Sequence, residues 1–559
     1  MPASLPSGHF PFSLKLGCIV KTRVNDLGES ITKVRIILDA KQSGVTGATE
    51  RRYKNELPRL TDAVSDILHL MSSIKPGETI VQFVADIVDA FWLVPLVHGE
   101  RRWFVAKFRG RYLVFNRTAQ GSRTAPLTFA ALMACATRLL QSVLLRDHLA
   151  EVIWQDARLE TYVDDPWAAL KGTPHQIDAL IATLLCLWEL LGYPVAYHKA
   201  HRGQMLKWIG MNISVLPDGV QVSIPEDKIN ELRRLCDEFL EGNVVPVKAM
   251  RSFVGKAMSI ASIIHTWKPF VGQFYKAMNA PSNAPKNCLW TSQVRIGLQW
   301  VRAFIEYNSP TAICCRKWNL AEFRHSSSRV IITWDASPWG YGATLQVDGD
   351  FRAYLYGEPE AIDQEVLDLQ VGSSESQQAL ECLAGLIALR AWRSHWQHAR
   401  ATLSIRSDNV AALTLLGRLV THSATNAVIA REAALDIGMG AYTPVASEHV
   451  PGIANVTCDQ LSRLFQPGTE PRLPAVLRLV PRTCLPVRDR SWWKSLAPPK
   501  TGNVASAAQA SLQTQGGGPA PAQKVVKRRA PSQGLNSDLL TQARLTSPLA
   551  CTLGNTCEG

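Results

Sequence analysis

The chain has 559 residues, of which 46% are hydrophobic and 19% are charged. This is the composition of a globular protein, and the length exceeds what one hydrophobic core supports, so we expect several domains. The 60 Lys and Arg residues outnumber the 47 Asp and Glu residues and give a formal net charge of +13. Such a chain is a candidate for binding nucleic acid, although a merely basic protein has the same charge.

The cysteines and the apolar segments argue against several classes of protein. The 12 cysteines are scattered and have no CxxC spacing, so the sequence predicts no zinc site. We expect these cysteines to be reduced thiols. The N-terminus lacks the basic segment and the apolar core of a signal peptide. The longest apolar run, residues 177–193, contains Glu189, so we expect no membrane span and a cytoplasmic or nuclear location.

The first 80 residues are basic and contain a predicted strand and a predicted helix. Residues 31–42 have the pattern of a strand and carry Lys33 and Arg35. The helix follows a loop, and its apolar positions are Val64, Ile67, Leu68 and Met71. Basic side chains on a strand usually face solvent, but beside a metal site they would bind a triphosphate.

Residues 81–96 begin as a buried strand that leads into Asp86. A carboxylate at the end of a buried strand is costly unless it is paired or bound to a metal. A helix cap is the alternative, and it suits Asp89 better than Asp86. Further along, residues 103–115 predict two strands joined by an Arg-Gly turn, and residues 118–141 predict a turn followed by a helix.

Residues 161–170, TYVDDPWAAL, predict a strand, a tight turn and a second strand, with Asp164 and Asp165 at the turn. Adjacent carboxylates repel each other, so the pair makes better sense if a divalent cation such as Mg²⁺ binds it. A solvated acidic turn is the alternative. The next segment predicts a helix that ends at Gly192 and Pro194, followed by Lys199, which in isolation is an ordinary surface lysine.

The order and spacing of these residues resemble the polymerase core of the reverse transcriptases of retroelements and retroviruses. The residues that carry the resemblance are Arg35, Asp86, Phe91, Gln120, Gly121, Pro126, Phe129 and residues 162–165, 191–199 and 208–210. Pro166 departs from the family pattern, which has an apolar strand residue there. Proline removes a strand donor and restricts the preceding residue, so a shifted turn is the expected consequence.

The resemblance implies a role for each of these positions. Asp86, Asp164 and Asp165 would bind two Mg²⁺ ions, for which Mn²⁺ can substitute. Phe91 would exclude ribonucleotides, and Lys199 would protonate the pyrophosphate leaving group. The residues implied to contact the template, the primer or the nucleotide are Arg35, Gln120, Gly121 and Tyr162.

Residues 225–310 are rich in amphipathic basic helices and resemble the thumb and connection of the same family, although a plain helical linker domain fits the composition as well. A new α/β pattern starts at residue 328. Its acidic residues fall at the ends of predicted strands or on helices, and they are Asp335, Glu381, Asp408 and Asp459. Four such carboxylates could bind two Mg²⁺ ions and hydrolyse a phosphodiester, whereas each acid alone could be a cap or a surface charge.

Residues 328–465 resemble the ribonuclease H fold. The resemblance implies that Asp335, Glu381, Asp408 and Asp459 are metal ligands and that His449 is the mobile histidine that helps product leave. The segment from His449 to Arg463 has a form typical of retroelement polyproteins, with Cys458 where alanine is usual.

The fold class that we expect is multidomain α/β and α+β. The predicted parts are the fingers (1–80), the palm (81–220), the helical thumb and connection (221–327), a ribonuclease H-like domain (328–466) and a mostly disordered extension (467–559). The extension contains a Gly/Pro-rich stretch and a short basic cluster at residues 524–531, which is a weak signal for nuclear import or nucleic-acid binding.

These expectations combine into an RNA-directed DNA polymerase with ribonuclease H activity from a retrotransposon-like element. Its partners would be an RNA template, a DNA primer, RNA–DNA hybrids and deoxynucleoside triphosphates. One alternative, kept open by Pro166, is a decayed or domesticated element that binds nucleic acid without turnover. Another is an RNA-dependent RNA polymerase, which Phe91 and the attached nuclease pattern disfavour.

Overall fold

A computed structural model describes residues 14–24, 30–50, 56–144, 156–281, 283–306, 309, 311–324, 328–396, 401–439 and 446–499. The chain is mixed α/β and divides into two compact units. The described residues up to Val220 belong to unit 1, and those from Gln221 belong to unit 2.

Unit 1 contains ten strands and four α-helices among its described residues, and β11 (Gly219–Ser223) spans the division. The strands are β1 (Lys15–Val24), β2 (Ser30–Asp39), β3 (Thr79–Val84), β4 (Val105–Phe108), β5 (Arg111–Val114), β6 (Ala157–Tyr162), β7 (Asp165–Gly172), β8 (His201–Gly203), β9 (Met205–Trp208) and β10 (Met211–Leu216). The helices are α1 (Val45–Ala48), α2 (Leu60–Ser72), α3 (Ala125–Leu144) and α4 (Pro174–Leu190).

The centre of unit 1 is an antiparallel sheet with the strand order β6-β7-β3-β8. The side chains of β7 after Asp165 are all buried, which explains why this strand is apolar without alternation. Helices α3 and α4 contact β6 and β7, and Trp188 of α4 stacks on Phe83 of β3 with ring centroids 6.4 Å apart. Helix α4 begins at a capping box in which Thr173 and Gln176 satisfy each other's backbone N–H groups.

Several predicted elements of unit 1 are confirmed. The strand predicted at residues 31–42 is β2, which pairs with β1 over ten residues. The two strands predicted at residues 103–115 are β4 and β5, and Arg109 and Gly110 between them both have positive φ. Ile209 and Gly210 form a similar turn between β9 and β10, with φ values of 44° and 72°.

One described helix, α3, is long and apolar enough over Ala125–Val143 to cross a membrane by length and composition alone. It is a different segment from residues 177–193, the longest apolar run in the sequence. One face of α3 packs into the core of unit 1 through Phe129, Met133 and Leu140. A single helix with this property is weak evidence, because core helices of proteins without a membrane segment meet the same criterion.

Unit 2 contains eight further strands and ten α-helices among its described residues. The strands are β12 (Val244–Pro246), β13 (Cys288–Trp290), β14 (Cys315–Asn319), β15 (Ser328–Ala336), β16 (Tyr341–Val347), β17 (Asp350–Gly357), β18 (Ala401–Ser407) and β19 (Ala446–His449). The helices are α5 (Glu226–Glu241), α6 (Val247–Ala261), α7 (Lys268–Asn279), α8 (Arg295–Phe304), α9 (Leu320–Phe323), α10 (Ala361–Leu367), α11 (Gln377–Ala391), α12 (Val410–Arg418), α13 (Asn426–Gly438) and α14 (Val456–Ser462).

Helices α5 to α8 pack around an aromatic core. Phe270 meets Phe304 edge to face at 4.9 Å, and Phe253 meets Phe274 in the same way at 5.6 Å. Such pairs contribute about 0.5–1.5 kcal/mol each beyond the burial of their area. The predicted helix-rich segment is therefore confirmed as a layer of helices packed around aromatic side chains.

The second half of unit 2 is a five-stranded sheet with the order β17-β16-β15-β18-β19. Strands β15 to β17 are antiparallel, whereas β18 and β19 run parallel to β15. Helix α11 is buried on nearly all sides and packs against β15 and α12. Gly385 permits this approach, because a Cβ atom there would lie 2.4 Å from Leu416 and 2.8 Å from Trp334.

Residues 467–499 pack against this sheet and its helices. Leu477 and Trp493 are almost completely buried. Arg488 donates to Asp363 Oδ2 from Nη2 at 2.6 Å and from Nε at 2.9 Å. A disordered extension that begins at residue 467 is therefore wrong for residues 467–499, since their buried side chains follow no helix or strand period. The Gly/Pro-rich stretch and the basic cluster lie outside the described residues.

Candidate active sites

Asp86 lies beside the turn that carries Asp164 and Asp165. Strand β3 ends at Val84, but its main chain continues along β7: Ala85 N donates to Pro166 O at 3.1 Å and Ile87 N donates to Asp164 O at 3.2 Å. The three aspartates predicted as metal ligands are thus on directly neighbouring backbone segments. Their oxygens are not gathered as closely as those of the second acidic centre described below.

The turn between β6 and β7 is a two-residue hairpin in which Tyr162 pairs with Asp165. Val163 occupies its first central position with φ 59°, a left-handed conformation that β-branched residues rarely adopt. This turn stores backbone strain at the acidic pair. Strain of this kind persists only where the surrounding structure holds the backbone in place.

The protonation of Asp165 is perturbed. Partial burial and the neighbouring charge of Asp164 together raise its pKa to about 6. A cation would relieve both effects, because it offsets the repulsion and replaces lost hydration. The carboxylates are therefore suited to a divalent cation.

Lys199 forms an ion pair with Asp86 through its Nζ atom and Asp86 Oδ2. The main chain supports this contact, because Ala196 N donates to Asp86 O at 2.8 Å. Lys199 is therefore a half-exposed lysine that has a carboxylate partner. Lys199 neutralises the carboxylate that the sequence predicts as the first metal ligand.

Phe91 is half-buried in the 3₁₀ helix Ala90–Leu93 and meets Phe129 of α3 edge to face, with centroids 5.9 Å apart. Asp89 precedes this helix with φ 50°, but its side chain makes no capping hydrogen bond, so a cap at Asp89 is wrong. The left-handed backbone conformation at Asp89 turns the chain instead.

Gln120 and Gly121 lie against the end of β2. Leu38 N donates to Gln120 O at 2.9 Å, and a Cβ atom on Gly121 would lie 2.2 Å from Leu38 O. Only glycine fits there, since its φ is 101° as well. Arg35 is exposed on the same strand, three residues before Leu38. The contact joins the loop that is predicted to bind the nucleotide to the strand that carries Arg35, which is predicted to contact the triphosphate.

A network of buried hydrogen bonds connects the acidic turn to the strands that pack against it. Trp208 Nε1 donates to Asp165 O at 3.1 Å, and its ring stacks on Trp167 at 5.4 Å. Trp167 Nε1 in turn donates to the completely buried Gln82 Oε1 at 3.1 Å, and Gln82 Nε2 donates to Gln204 O and Ile213 O. Sequence reasoning missed Gln82, although a polar residue inside the apolar run VQFVAD is a visible signal.

Pro166 fits into β7 without breaking the sheet. Its carbonyl accepts from Ala85 N, and the strand continues to Gly172. Proline has no N–H, but Pro166 lies where β3 leaves the sheet. The hydrogen-bond ladder between β7 and β3 therefore loses only one donor, at its end. The expected shift of the turn is therefore not seen in the strand pairing, since Tyr162 and Asp165 remain opposite each other.

A second acidic centre lies in unit 2. Asp335, Glu381 and Asp408 each offer an oxygen atom, and these atoms lie within 4.8 Å of one another. Asp335 is near the end of β15, Asp408 directly follows the parallel strand β18, and Glu381 is on α11. Because β15 and β18 are parallel and paired in register, the two aspartates lie side by side at the same edge of the sheet.

Burial makes this centre a poor place for free carboxylates. Asp335 and Glu381 are 5% and 4% exposed. Burial and the neighbouring acids raise the pKa of Asp335 to about 7 and that of Glu381 to about 9. Glu381 Oε2 is buried and has no hydrogen-bond partner among the described residues. An orphaned oxygen among converging carboxylates fits a hard divalent cation.

The remaining two predicted nuclease residues lie at the rim. His449 ends β19 beside Ser407 and is exposed, with Nε2 3.1 Å from Asp408 O. Asp459 lies on α14 and forms an ion pair with Arg463 Nε at 2.7 Å. Asp459 is therefore near the trio but outside the set of closely spaced oxygens.

Three supporting side chains were not singled out from the sequence. Ser462 Oγ donates to Asp335 Oδ2 at 2.8 Å, and Asn455 Nδ2 donates to Trp334 O at 3.0 Å. Gln377 Nε2 lies 3.3 Å from Glu381 Oε1, one helical turn before it. The i,i+4 spacing of Gln377 and Glu381 was the available signal.

No family model and no curated protein matches the sequence. Three solved structures of foamy viral protease-reverse transcriptase are similar: one of a dRH form with double-stranded DNA, one with an RNA/DNA hybrid and one with double-stranded DNA. Their identities to this chain are 13%, 14% and 13%, and their TM-scores are 0.40, 0.35 and 0.37. The matches cover 78%, 76% and 78% of this chain and 66%, 50% and 77% of theirs.

Proposed function

We propose that this chain is an RNA-directed DNA polymerase with ribonuclease H activity, of the kind found in retrotransposon-like elements. The observation that carries the proposal is the convergence of Asp335, Glu381 and Asp408 within 4.8 Å around an orphaned buried oxygen. That centre is on the same chain as the strained Asp164-Asp165 hairpin beside Asp86. Two acidic centres suit two phosphodiester reactions, one that forms the bond and one that hydrolyses it.

In the polymerase site, Asp86, Asp164 and Asp165 would hold Mg²⁺. Bound there, Mg²⁺ supplies positive charge to the triphosphate and lowers the pKa of the primer hydroxyl. Lys199, once displaced from Asp86, would give its Nζ proton to the departing pyrophosphate. Phe91 would crowd a ribose 2′-hydroxyl, which is the group that separates ribonucleotides from deoxyribonucleotides.

The other predicted substrate contacts surround these groups. Arg35 would neutralise triphosphate oxygens, while the main chain at Gln120 and Gly121 holds the loop against β2. Tyr162 and Trp208 would keep the primer end in place, the latter through its hydrogen bond to Asp165 O. Catalysis would then come mainly from positioning and charge stabilisation.

In the nuclease site, Asp335, Glu381, Asp408 and Asp459 would hold Mg²⁺, which supplies a water of lowered pKa and stabilises the charge on the cleaved phosphate. Asp459 can join the trio if Arg463 releases it, because their ion pair is partly exposed. His449 is exposed at the rim, where it would help the product leave. The RNA strand of a hybrid is the proposed substrate.

Primer extension on poly-rA with oligo-dT and dTTP tests the polymerase, and cleavage of a labelled hybrid tests the nuclease. We expect the wild type to do both, Asp164→Asn to lose extension only, and Asp335→Asn to lose cleavage only. Circular dichroism of each variant serves as the folding control. A folded wild type that binds hybrid but neither extends nor cleaves it would overturn the proposal and leave nucleic-acid binding without turnover.

A further inference from the structure

Gln82 is a polar residue with no exposed surface in the middle of β3. Strand β3 lies between β7 and β8 in the central sheet of unit 1, and Gln82 is opposite Ala169 of β7 and Gly203 of β8. A polar side chain in such a place is costly unless its polar atoms find partners. An apolar residue suits a buried strand better, so the amide group needs a reason of its own.

The amide group of Gln82 has a partner for each of its polar atoms. Nε2 donates to Gln204 O at 3.0 Å and to Ile213 O at 2.9 Å, and Oε1 accepts from Trp167 Nε1 at 3.1 Å. Gln204 directly precedes β9 and Ile213 lies in β10, so both donations go to the hairpin that these two strands form. Strands β9 and β10 belong to a different sheet from β3. Gln82 thus ties the central sheet to the β9–β10 hairpin.

The same hairpin has a second attachment at the acidic turn. Trp208, the last residue of β9, donates from Nε1 to Asp165 O at 3.1 Å. Its ring stacks on that of Trp167, the residue that donates to Gln82, with centroids 5.4 Å apart. These contacts close a ring that runs from Gln82 through the two tryptophans and back along β9 to Gln204.

Two attachments fix the hairpin more firmly than one. Gln204 and Trp208 are four residues apart along β9, which corresponds to about 13 Å in an extended strand. A hairpin attached at Trp208 alone could rotate about that contact, whereas a second contact at this distance fixes its angle to the central sheet. The turn at Ile209 and Gly210 directly follows Trp208, so its position depends on both contacts.

We propose that Gln82 is a positioning residue for nucleotide transfer, because it fixes the β9–β10 hairpin at the angle that presents a primer end to the Asp164-Asp165 turn. That the hairpin holds a primer rests on the proposed function, whereas the double attachment rests on the contacts themselves. Gln82 has no exposed surface, so it acts only through the hairpin. Reacting atoms must lie about 3–3.5 Å apart, so a small rotation of the hairpin is enough to slow the reaction.

Gln82→Met tests the proposal, because methionine has a similar length and no hydrogen-bonding amide. Single-nucleotide incorporation is normalised to the folded fraction from circular dichroism, and hybrid binding is measured by fluorescence anisotropy with EDTA present. We expect kcat to fall by about 10- to 100-fold, the effect of a displacement on the order of 1 Å. The Kd of the hybrid should stay within about twofold, since phosphate contacts supply most of the affinity.

Lys171→Met is the matched control. Lys171 is only 4% exposed on β7 and also joins two elements, since its Nζ donates to Ser73 Oγ at 2.9 Å, directly after α2. It lies at the opposite end of β7 from Asp165. Its loss should lower the stability of unit 1 and leave kcat unchanged. If neither variant loses kcat, or if both lose it equally, Gln82 has only a structural role and the proposal is wrong.

Hydrogen exchange gives a readout that needs no catalysis. We expect Gln82→Met to speed exchange in peptides that cover residues 204–216, while exchange in α4 stays as in the wild type. Lys171→Met should leave residues 204–216 protected. Unchanged protection of the hairpin in Gln82→Met would overturn the proposal even if kcat fell. If the hairpin is loosened but the wild type extends no primer, the role of Gln82 in fixing the hairpin stands and the proposed function fails.

A double-mutant cycle with Trp208→Phe tests whether the two attachments serve one hairpin. Phenylalanine keeps a ring against Trp167 and removes the hydrogen bond to Asp165 O. Because loss of either attachment frees the hairpin, kcat of the double variant should lie within about threefold of the slower single variant. A fall equal to the product of the single effects would contradict the proposal. Should Gln82→Met not fold, Gln82→Asn replaces it, since its amide is one methylene too short to reach all three partners.

Discussion

The ammonium group of Lys199 lies on the carboxylate of Asp86, although the two residues are far apart in the sequence. This ion pair puts the proposed proton donor and a predicted metal ligand in direct contact. Under the proposed function, a cation bound at Asp86 would displace the lysine and free its Nζ for the leaving group. Metal binding and proton donation would then be linked through one side chain.

Lys199→Gln tests this link. We expect half-maximal extension at a lower Mg²⁺ concentration, because the competitor for Asp86 is gone. We also expect kcat to fall by about 10²-fold, since a positioned proton donor contributes roughly 10²–10⁴-fold. Single-nucleotide incorporation over a Mg²⁺ titration measures both, with the exposed Lys75→Gln as control. An unchanged Mg²⁺ requirement would contradict the competition.

Phe91→Ala tests the exclusion of ribonucleotides. Removal of the ring, which is packed on Phe129, opens space where a 2′-hydroxyl would lie. We expect the preference for deoxyribonucleotides to fall by about 10- to 200-fold, the range for a change in pocket shape. The ratio of kcat/KM for dTTP and UTP on the same primer gives the answer. Phe108→Ala, at a half-exposed aromatic on β4, should leave the ratio unchanged.

Pro166→Leu tests whether the proline limits activity. Because Ala85 N already bonds to Pro166 O and the Tyr162–Asp165 pair is intact, restoring one strand donor should change the extension rate by less than about threefold. Steady-state extension of both proteins measures this. A gain of an order of magnitude would mean that proline does disturb the catalytic turn.

The stability of unit 1 should rise as the pH falls from about 7 toward 4. Burial and the charges of Asp66 and Asp62 raise the pKa of Glu160 to about 7, and burial raises that of Asp66 to about 6. The folded state then binds more protons than the unfolded state in this window, so the free energy of unfolding decreases as pH rises. Glu160→Gln should stabilise the protein at pH 8 by about 1–3 kcal/mol and flatten the profile.

Urea denaturation at several pH values measures this effect. Glu100→Gln, at an exposed acid of the same unit, should keep the wild-type slope. If Glu160→Gln left the slope between pH 4 and 7 unchanged, the raised pKa would not be a property of the folded state.

The buried ion pair of Arg488 and Asp363 should anchor the residues after 467. Arg488→Met leaves Asp363 buried without its counter-charge, which costs about 3–5 kcal/mol. Arg490→Met removes an exposed pair with Glu365 and should cost less than about 1 kcal/mol. Chemical denaturation of both variants makes the comparison. Equal, small losses would show that the segment adds little to stability.

Much of the local structure was readable from the sequence, because it depends on short-range patterns. The hairpin at Asp164-Asp165 and the Arg-Gly turn between β4 and β5 both follow from turn residues and periodicity. The convergence of Asp335, Glu381 and Asp408 was expected only through the family resemblance, since sequence spacing alone does not bring a helix onto a sheet edge.

Other features could not be predicted because they depend on distant packing. Helices α10 and α13 were not recognised, and the buried Glu432 and Asp436 of α13 look like surface charges until Arg390 and Lys494 are placed beside them. The ion pair of Lys199 with Asp86 and the internal position of Gln82 likewise need three-dimensional contacts. The ordered structure of residues 467–499 could not be predicted, because their apolar residues follow neither a helical nor a strand period.

The late position of this last segment bears on how the protein is made. Glu432 has no exposed surface, and its carboxylate accepts from Ser495 N at 2.6 Å and from Lys494 N at 3.1 Å. Trp300 Nε1 likewise donates to Ala497 O at 3.1 Å. During synthesis these backbone groups leave the ribosome after all other described elements of unit 2. Until then the buried Glu432 carboxylate has Arg390 as a partner but lacks its two backbone donors. A nascent chain that stalls before Lys494 therefore exposes an incomplete fold to chaperones and proteases.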